Sequence, residues 1–141
     1  MDAQRTLEFN ARNIAEFRAS GGKLGGRFEG APVLLLTTIG AKSGQPRTSP
    51  MMYLPEGERI IVFASNEGKD SHPSWYYNLR ANPTATVELG TDAFAVTATE
   101  ITGDEHDRLY GIQEQRYPGF AAYRERTERV IPVIELVRIT S

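Results

Sequence analysis

Val33-Leu-Leu-Leu-Thr-Thr38, then Gly40-Ala-Lys-Ser-Gly-Gln-Pro-Arg-Thr-Ser-Pro-Met-Met-Tyr53, then Arg59-Ile-Ile-Val-Phe-Ala64: these three consecutive stretches decide the fold. The first and third are short apolar runs, and Arg59–Ala64 reads as a strand buried on both faces. Between them, Gly40, Gly44 and Pro46 make a turn that joins strands over Val33–Thr38 and Thr48–Leu54. The turn carries two cations, Lys42 and Arg47. Free backbone N–H groups, a point charge and a planar guanidinium together suit a phosphate. The same ingredients also build an ordinary solvated hairpin, and the residues alone leave both readings open.

Working outward, Pro55-Glu56-Gly57 is a turn, and Ser65–Pro73 is a polar loop. Ser74–Ala81 reads as a short helix, stopped by Asn82-Pro83. Thr84–Leu89 alternates and pairs with Phe94–Ile101 across Gly90-Thr91-Asp92. Thr102 and Glu105 have capping-box spacing for a helix to about Arg116. Pro118 interrupts it, and a further helix covers about Phe120–Glu128. A last strand spans Val133–Ile139. Upstream, Asp2 can cap a first helix in which Ala3, Leu7, Ala11, Ile14 and Phe17 share one face. Phe9 lies off that stripe, as an exposed ring or as a lid over a ligand. Ser20–Gly26, with four glycines, is expected to be a flexible connection. The expected architecture is mainly β with flanking helices, with about six largely antiparallel strands able to close into a barrel.

Composition narrows the function classes. The 141 residues suit one domain with a real core, and the net charge of −2 argues against a nucleic-acid binder. Residues 1–47 hold seven Lys or Arg against four Asp or Glu, so the basic third could meet a polyanionic small molecule. The absence of cysteine removes disulfides, thiol nucleophiles and thiolate metal sites. His72 and His106 are far apart in sequence and lack metal-ligand spacing, so no metal is expected. No apolar run reaches the roughly 18 residues of a membrane span, and no signal-peptide pattern opens the chain. The cytoplasm is the default compartment.

Five blocks occur in order: Gly40-Ala-Lys-Ser-Gly-Gln-Pro-Arg47, Ala64-Ser-Asn66, Pro73-Ser-Trp-Tyr-Tyr-Asn-Leu-Arg-Ala-Asn-Pro83, Tyr117-Pro-Gly-Phe-Ala-Ala-Tyr123 and Arg129-Val-Ile-Pro132. Together they resemble the deazaflavin-dependent nitroreductase family of actinobacteria, over about residues 20–139. The resemblance implies a split β-barrel of the flavin-reductase, FMN-binding-like type over 20–141, preceded by an amphipathic helix over 1–19. It implies coenzyme F-420, an 8-hydroxy-5-deazaflavin with a polyglutamate tail. The implied reaction is hydride transfer from C5 of the reduced coenzyme to a quinone, a nitroaromatic or another activated conjugated acceptor.

The resemblance also assigns residues. Ala41, Lys42, Ser43 and Arg47 would meet the phosphate and tail, with Thr48, Ser49, Pro50, Met51 and Met52 along the coenzyme. Phe63, Ala64, Ser65 and Asn66 would contact it at the end of the third strand. Family members often carry Lys where this chain has Asn66, and Lys69 could substitute. Ser74, Trp75, Tyr76, Tyr77 and Asn78 would border it from the short helix, although several of these are equally suited to the core. Tyr117, Phe120 and Tyr123 would form the opposite wall. Phe120 stands where relatives carry Tyr, which argues against bulky nitroimidazoles. Tyr117, Tyr123 and Ser65 are candidate substrate-positioning groups or proton donors, and bulk water could serve instead. A lone histidine such as His72 is usually structural. The alternatives are an FMN-dependent oxidoreductase on the same barrel and a non-catalytic F-420 carrier. A homodimer fits such barrels, and weak peripheral attachment to the inner face of the membrane is compatible with the first helix.

Overall fold

The computed structural model describes residues 3–25, 28 and 30–139, with the side chains of residues 3–7 and 67 outside the description. Seven strands form one antiparallel sheet: β1 Val33–Ile39, β2 Pro46–Met52, β3 Leu54–Glu56, β4 Arg59–Phe63, β5 Thr84–Leu89, β6 Asp92–Ile101 and β7 Val133–Arg138. Four helices accompany them: α1 Ala3–Ser20, α2 Ser74–Ala81, α3 Gly103–Arg116 and α4 Gly119–Arg126.

The strand order is β2-β1-β5-β6-β7-β4-β3. β2 and β3 therefore lie at opposite edges of the sheet, yet a single residue, Tyr53, separates them in the chain. A flat sheet of seven strands would hold its edges roughly 28 Å apart at about 4.7 Å per strand. One residue reaches less than about 4 Å. The sheet must therefore curl until its edges approach, and Tyr53 N–H donates to the Pro32 carbonyl (3.1 Å) at that corner. The six strands expected become seven because Thr48–Leu54 divides here. Pro55 and Glu56, expected to begin a turn, join Leu54 in pairing with β4 instead. Proline is tolerated there, and at Pro46 and Pro50 of β2, because both are edge strands.

The core has three parts. Leu34, Leu36, Val62, Val87, Val96 and Leu136 pack inside the curl with Leu79 of α2. Leu54, Ile61, Phe63 and Val133 pack beneath α3 and α4. Phe17 of α1 packs on Leu24, Phe28, Val33 and Leu35. β4 is buried from Ile61 onward, as its unbroken apolar run implies.

Several local expectations are corrected. On α1, Ala11 is exposed while Asn13 and Ile14 are half-buried and Phe17 is buried. Ala11 lies about 120° around the helix from Phe17, and Phe9 brings a larger apolar surface to the third cluster. Asp2 and the side chains of Ala3 and Leu7 lie outside the described residues. The connection after α1 is bonded rather than loose: Ser20 Oγ donates to the Lys23 carbonyl (2.6 Å), and Gly22 N–H donates to Phe17 (2.8 Å). A Cβ on Gly22 would stand 2.6 Å from Gly90 Cα, so only glycine lets this segment touch the β5–β6 turn. Gly26 lies outside the described residues.

Thr102 caps α3 by backbone position only, without a side-chain bond. The Glu105 carboxylate is taken by Arg108 Nε (2.5 Å) and Arg59 Nη1 (3.4 Å), so no capping box forms. That ion cluster, with Glu56 and Glu135, ties α3 to β3, β4 and β7. The hairpin turn after β5 is tighter than expected, with Leu89 opposite Asp92. α4 ends at Arg126 and β7 at Arg138, each slightly short of its expected limit.

Candidate functional site

The curl leaves a cavity of about 630 Å³ beside the outer edge of β2. That volume suits a compact organic ligand. β2 contributes Ser49, Pro50, Met51 and Met52. Both faces of this strand take part because it pairs only with β1, leaving its outer edge toward the cavity. The end of β4 adds Phe63 and Ser65. The loop that follows adds Asn66, Lys69, Ser71 and His72, and the start of α2 adds Ser74 and Trp75. α4 closes the far side with Phe120 and Tyr123, and Phe9, Asn10 and Phe28 cover it from the α1 side.

The loop after β4 is tightly built. Asn66 has φ 48°, the one non-glycine residue in the left-handed region among the described residues. Asparagine tolerates that conformation better than most side chains, and its amide donates to the Ser71 carbonyl (2.9 Å). Gly68 (φ +80°) abuts α4, where a Cβ would meet the Tyr123 carbonyl oxygen at 2.9 Å. Arg129 donates to the carbonyls of Ala64 (3.2 Å), Ser65 (2.8 Å) and Lys69 (2.9 Å) and to His72 Nδ1 (3.0 Å). Burial and then the Arg129 charge push the His72 imidazole below its ordinary pKa.

Not every candidate residue reaches the cavity. Ala41, Lys42, Ser43 and Arg47 are exposed on and beside the β1–β2 turn. Arg47 stands two residues before Ser49 on the same face of β2, about 7 Å along the strand. Neither Lys42 nor Arg47 has a carboxylate partner among the described residues. Thr48 faces the other side, its hydroxyl 2.8 Å from that of Thr37. Ala64 is fully buried in the core.

Asn78 is buried beneath the turn: its Oδ1 accepts from Ala41 N–H (2.9 Å) and its Nδ2 donates to Thr38 Oγ1 (3.0 Å). It therefore braces α2 against the cationic turn. Tyr76 is buried with its hydroxyl on Glu100 (2.6 Å); desolvation first, then that bond, raises its pKa to about 12. Tyr77 is exposed, and Tyr117 packs at the edge of the second core cluster. Phe9, left open between an exposed ring and a lid, lies 6.4 Å from the Phe28 ring and lines the cavity.

Sequence reasoning missed Asn10, Phe28 and Ser71 as lining residues and Arg129 as a brace. Only Arg129 had a signal, as part of the block Arg129–Pro132. The two histidines, remote in sequence, both line a second cleft of about 310 Å³. His106 is already engaged there, with Nε2 2.7 Å from the Ile131 carbonyl and Nδ1 3.0 Å from Asp107. No group of three metal-ligating side chains occurs among the described residues.

The sheet order and curl are those of a split β-barrel. The model of the family described as F420H(2)-dependent quinone reductase matches residues 10–137. The chain belongs to that family. Its members are oxidoreductases named for the reduced deazaflavin coenzyme. An F420H(2)-dependent quinone reductase of Mycobacterium tuberculosis is 40% identical over 148 residues, covering 98% of this chain and 99% of the relative. A solved F420-H2 dependent reductase is 40% identical, with a TM-score of 0.68 over 74% of this chain and 93% of its own. A second structure, described as a domain-swapped dimer, is 34% identical, with a TM-score of 0.70 over 92% and 98%. Within the quinone reductase family fold, the cavity beside β2 draws on three of the five sequence blocks, through Ser65 and Asn66, Pro73 to Trp75, and Phe120 with Tyr123.

Proposed function

We propose that this chain reduces quinones with reduced coenzyme F-420, and that the cavity beside β2 is where the two meet. The observation that carries the reading is the cavity's division. Met51, Met52, Phe63, Trp75 and Phe120 give it an apolar wall, while Ser49, Ser65, Asn66 and Lys69 supply polar groups. Lys42 and Arg47 stand outside on the adjoining turn. A molecule with a flat ring and an anionic tail fits that order: ring within, tail toward the cations. When bound, the reduced deazaflavin supplies the hydride; the chain supplies placement and dryness. Ser65 and Tyr123 line the cavity and can donate a hydrogen bond to an acceptor oxygen, whereas Tyr117 stands outside.

Phe120 has no hydroxyl, which favours quinones over bulky nitroimidazoles. No helix among the described residues is long and apolar enough to cross a membrane. The reading places the enzyme in the cytoplasm, with any membrane contact peripheral. A homodimer is consistent with the dimeric 34%-identical relative and with the exposed face of Ala95, Thr97, Val137 and Ile139.

The test is a fluorescence titration with F-420, followed by mixing the reduced coenzyme with menadione. Saturable quenching and acceptor-dependent oxidation are expected. A yellow protein that binds FMN and ignores F-420 would replace this reading with the flavin alternative. Binding without turnover against a range of quinones would leave a carrier.

A further inference from the structure

The cavity wall from Ala64 to His72 is held by one side chain from outside it. Arg129, between α4 and β7, directs Nη1–H to the Ala64 carbonyl and His72 Nδ1, Nη2–H to the Ser65 carbonyl and Nε–H to the Lys69 carbonyl. These four acceptors include no carboxylate. A guanidinium stays protonated in proteins and has no acceptor. The imidazole nitrogen facing it must therefore present its lone pair, which leaves the ring neutral with its proton on Nε2.

We propose that Arg129 is the positioning residue of this site: it sets the 64–72 wall and locks His72 as a neutral Nε2–H ring, so that this wall carries no titrating charge across the range in which a free imidazole would ionise. The proposal rests on the cavity being the coenzyme and acceptor site.

The groups around His72 agree with it. Arg129 faces the ring from the segment before β7. Tyr76 and Tyr77 of α2 pack on it with ring centroids at 4.5 Å and 5.6 Å, and Arg80 adds positive charge from the same helix. Glu100 of β6 favours the imidazolium, but it already accepts from the Tyr76 hydroxyl. His106 and Asp107 of α3 share the second cleft with His72 and bond to each other. His72 lines both that cleft and the main cavity, so a charge gained there would appear in the wall between them.

The experiment is long-range ¹H–¹⁵N correlation of the histidines in the full chain over about pH 5–8, with His72→Gln to assign the signal. In the wild type, His72 is expected to show Nε2–H, a bare Nδ1 and no titration across that range. In Arg129→Met, with the cation gone but the burial still in place, its titration should move to higher pH than in the wild type. The same substitution should weaken F-420 binding by about ten- to a hundredfold, as expected for a displaced wall. The pH profile of kcat/KM should gain an ionisation that the wild type lacks. Arg129→Lys keeps the charge but cannot span the four acceptors, so it should lose affinity while His72 stays neutral.

A wild-type His72 with its proton on Nδ1, or titrating near 6.5, would overturn the proposal whatever the activity. Unchanged affinity and pH profile in both variants would overturn the positioning role. If Arg129→Met does not fold, the wild-type spectrum and Arg129→Lys still decide. A wild type with the expected tautomer that does not bind F-420 would remove the proposed function instead, and the two failures are thus distinct.

Discussion

Asn78→Ala should both destabilise the protein and loosen its cationic turn. The side chain is 7% exposed and bridges Ala41 N–H to the Thr38 hydroxyl, which is 0% exposed. After truncation, Ala41 N–H lies at the surface and can turn to water, so its loss is the net worth of one bond, about 0.5–1.5 kcal/mol. The Thr38 hydroxyl has no such escape, and leaving it unsatisfied costs about 1–3 kcal/mol. The sum, about 1.5–4.5 kcal/mol, is a large fraction of a typical stability of about 5–15 kcal/mol. It should lower Tm by roughly 6–15 °C in a chain of this size. Asn78→Asp keeps an acceptor for Ala41 and can accept from Thr38, so it should recover much of the loss. Calorimetry of both variants, paired with F-420 titration, is the assay. The bracing argument fails if Asn78→Ala melts within a degree or two of the wild type, or if it melts early yet binds F-420 with undiminished affinity.

Arg47→Ala should weaken F-420 binding about tenfold, the worth of a charge-assisted hydrogen bond; unchanged affinity in a fluorescence titration would return the turn to a solvated hairpin. Gly68→Ala should cost about 2 kcal/mol or more, since it combines a left-handed backbone with a contact to Tyr123, and chemical denaturation would measure it. Phe120→Ala should cost about 3–5 kcal/mol, because its ring packs within 5.7 Å of Phe63 and 5.4 Å of Tyr123 by centroid; an unaltered denaturation midpoint would contradict the packing. Glu56 and Glu105 are held below the ordinary carboxylate range, first of all by hydrogen bonds from Arg108. Their contribution is present above the unfolded value near 4.5 and is lost as pH falls through the lower folded values. Arg108→Ala should therefore move the acid-unfolding midpoint to higher pH, and an unmoved midpoint would show the cluster to be idle.

Much of the sheet was legible because apolar runs and turn residues mark strands locally. β1, β4 and β5 could be read from their own side chains. β3 could not, since Leu54-Pro55-Glu56 carries a turn signal, and only its place at the sheet edge lets proline stay. The capping-box spacing at Thr102 misled because Glu105 has two arginines in reach, which no local pattern reveals.

The site divides in the same way. Ser65, Trp75 and Phe120 belong to blocks that the family resemblance singles out, and they line the cavity. Asn78 shares a helix with Trp75, but spacing alone could not say that its amide is consumed under the turn. Arg129 was unreadable in that role because its partners lie 57 to 65 residues away in the chain. Arg129 mostly meets backbone carbonyls, which leave no trace in residue identity.

The contact of Gly68 with Tyr123 limits how this pocket can be remodelled. With no space for even a methyl group between the loop and α4, the two walls shift together or not at all. Lengthening either segment would pry apart both sides of the slot. Selection for new acceptors is therefore channelled into swapping rings and hydroxyls at positions 120 and 123, and related chains should differ there more freely than in loop length.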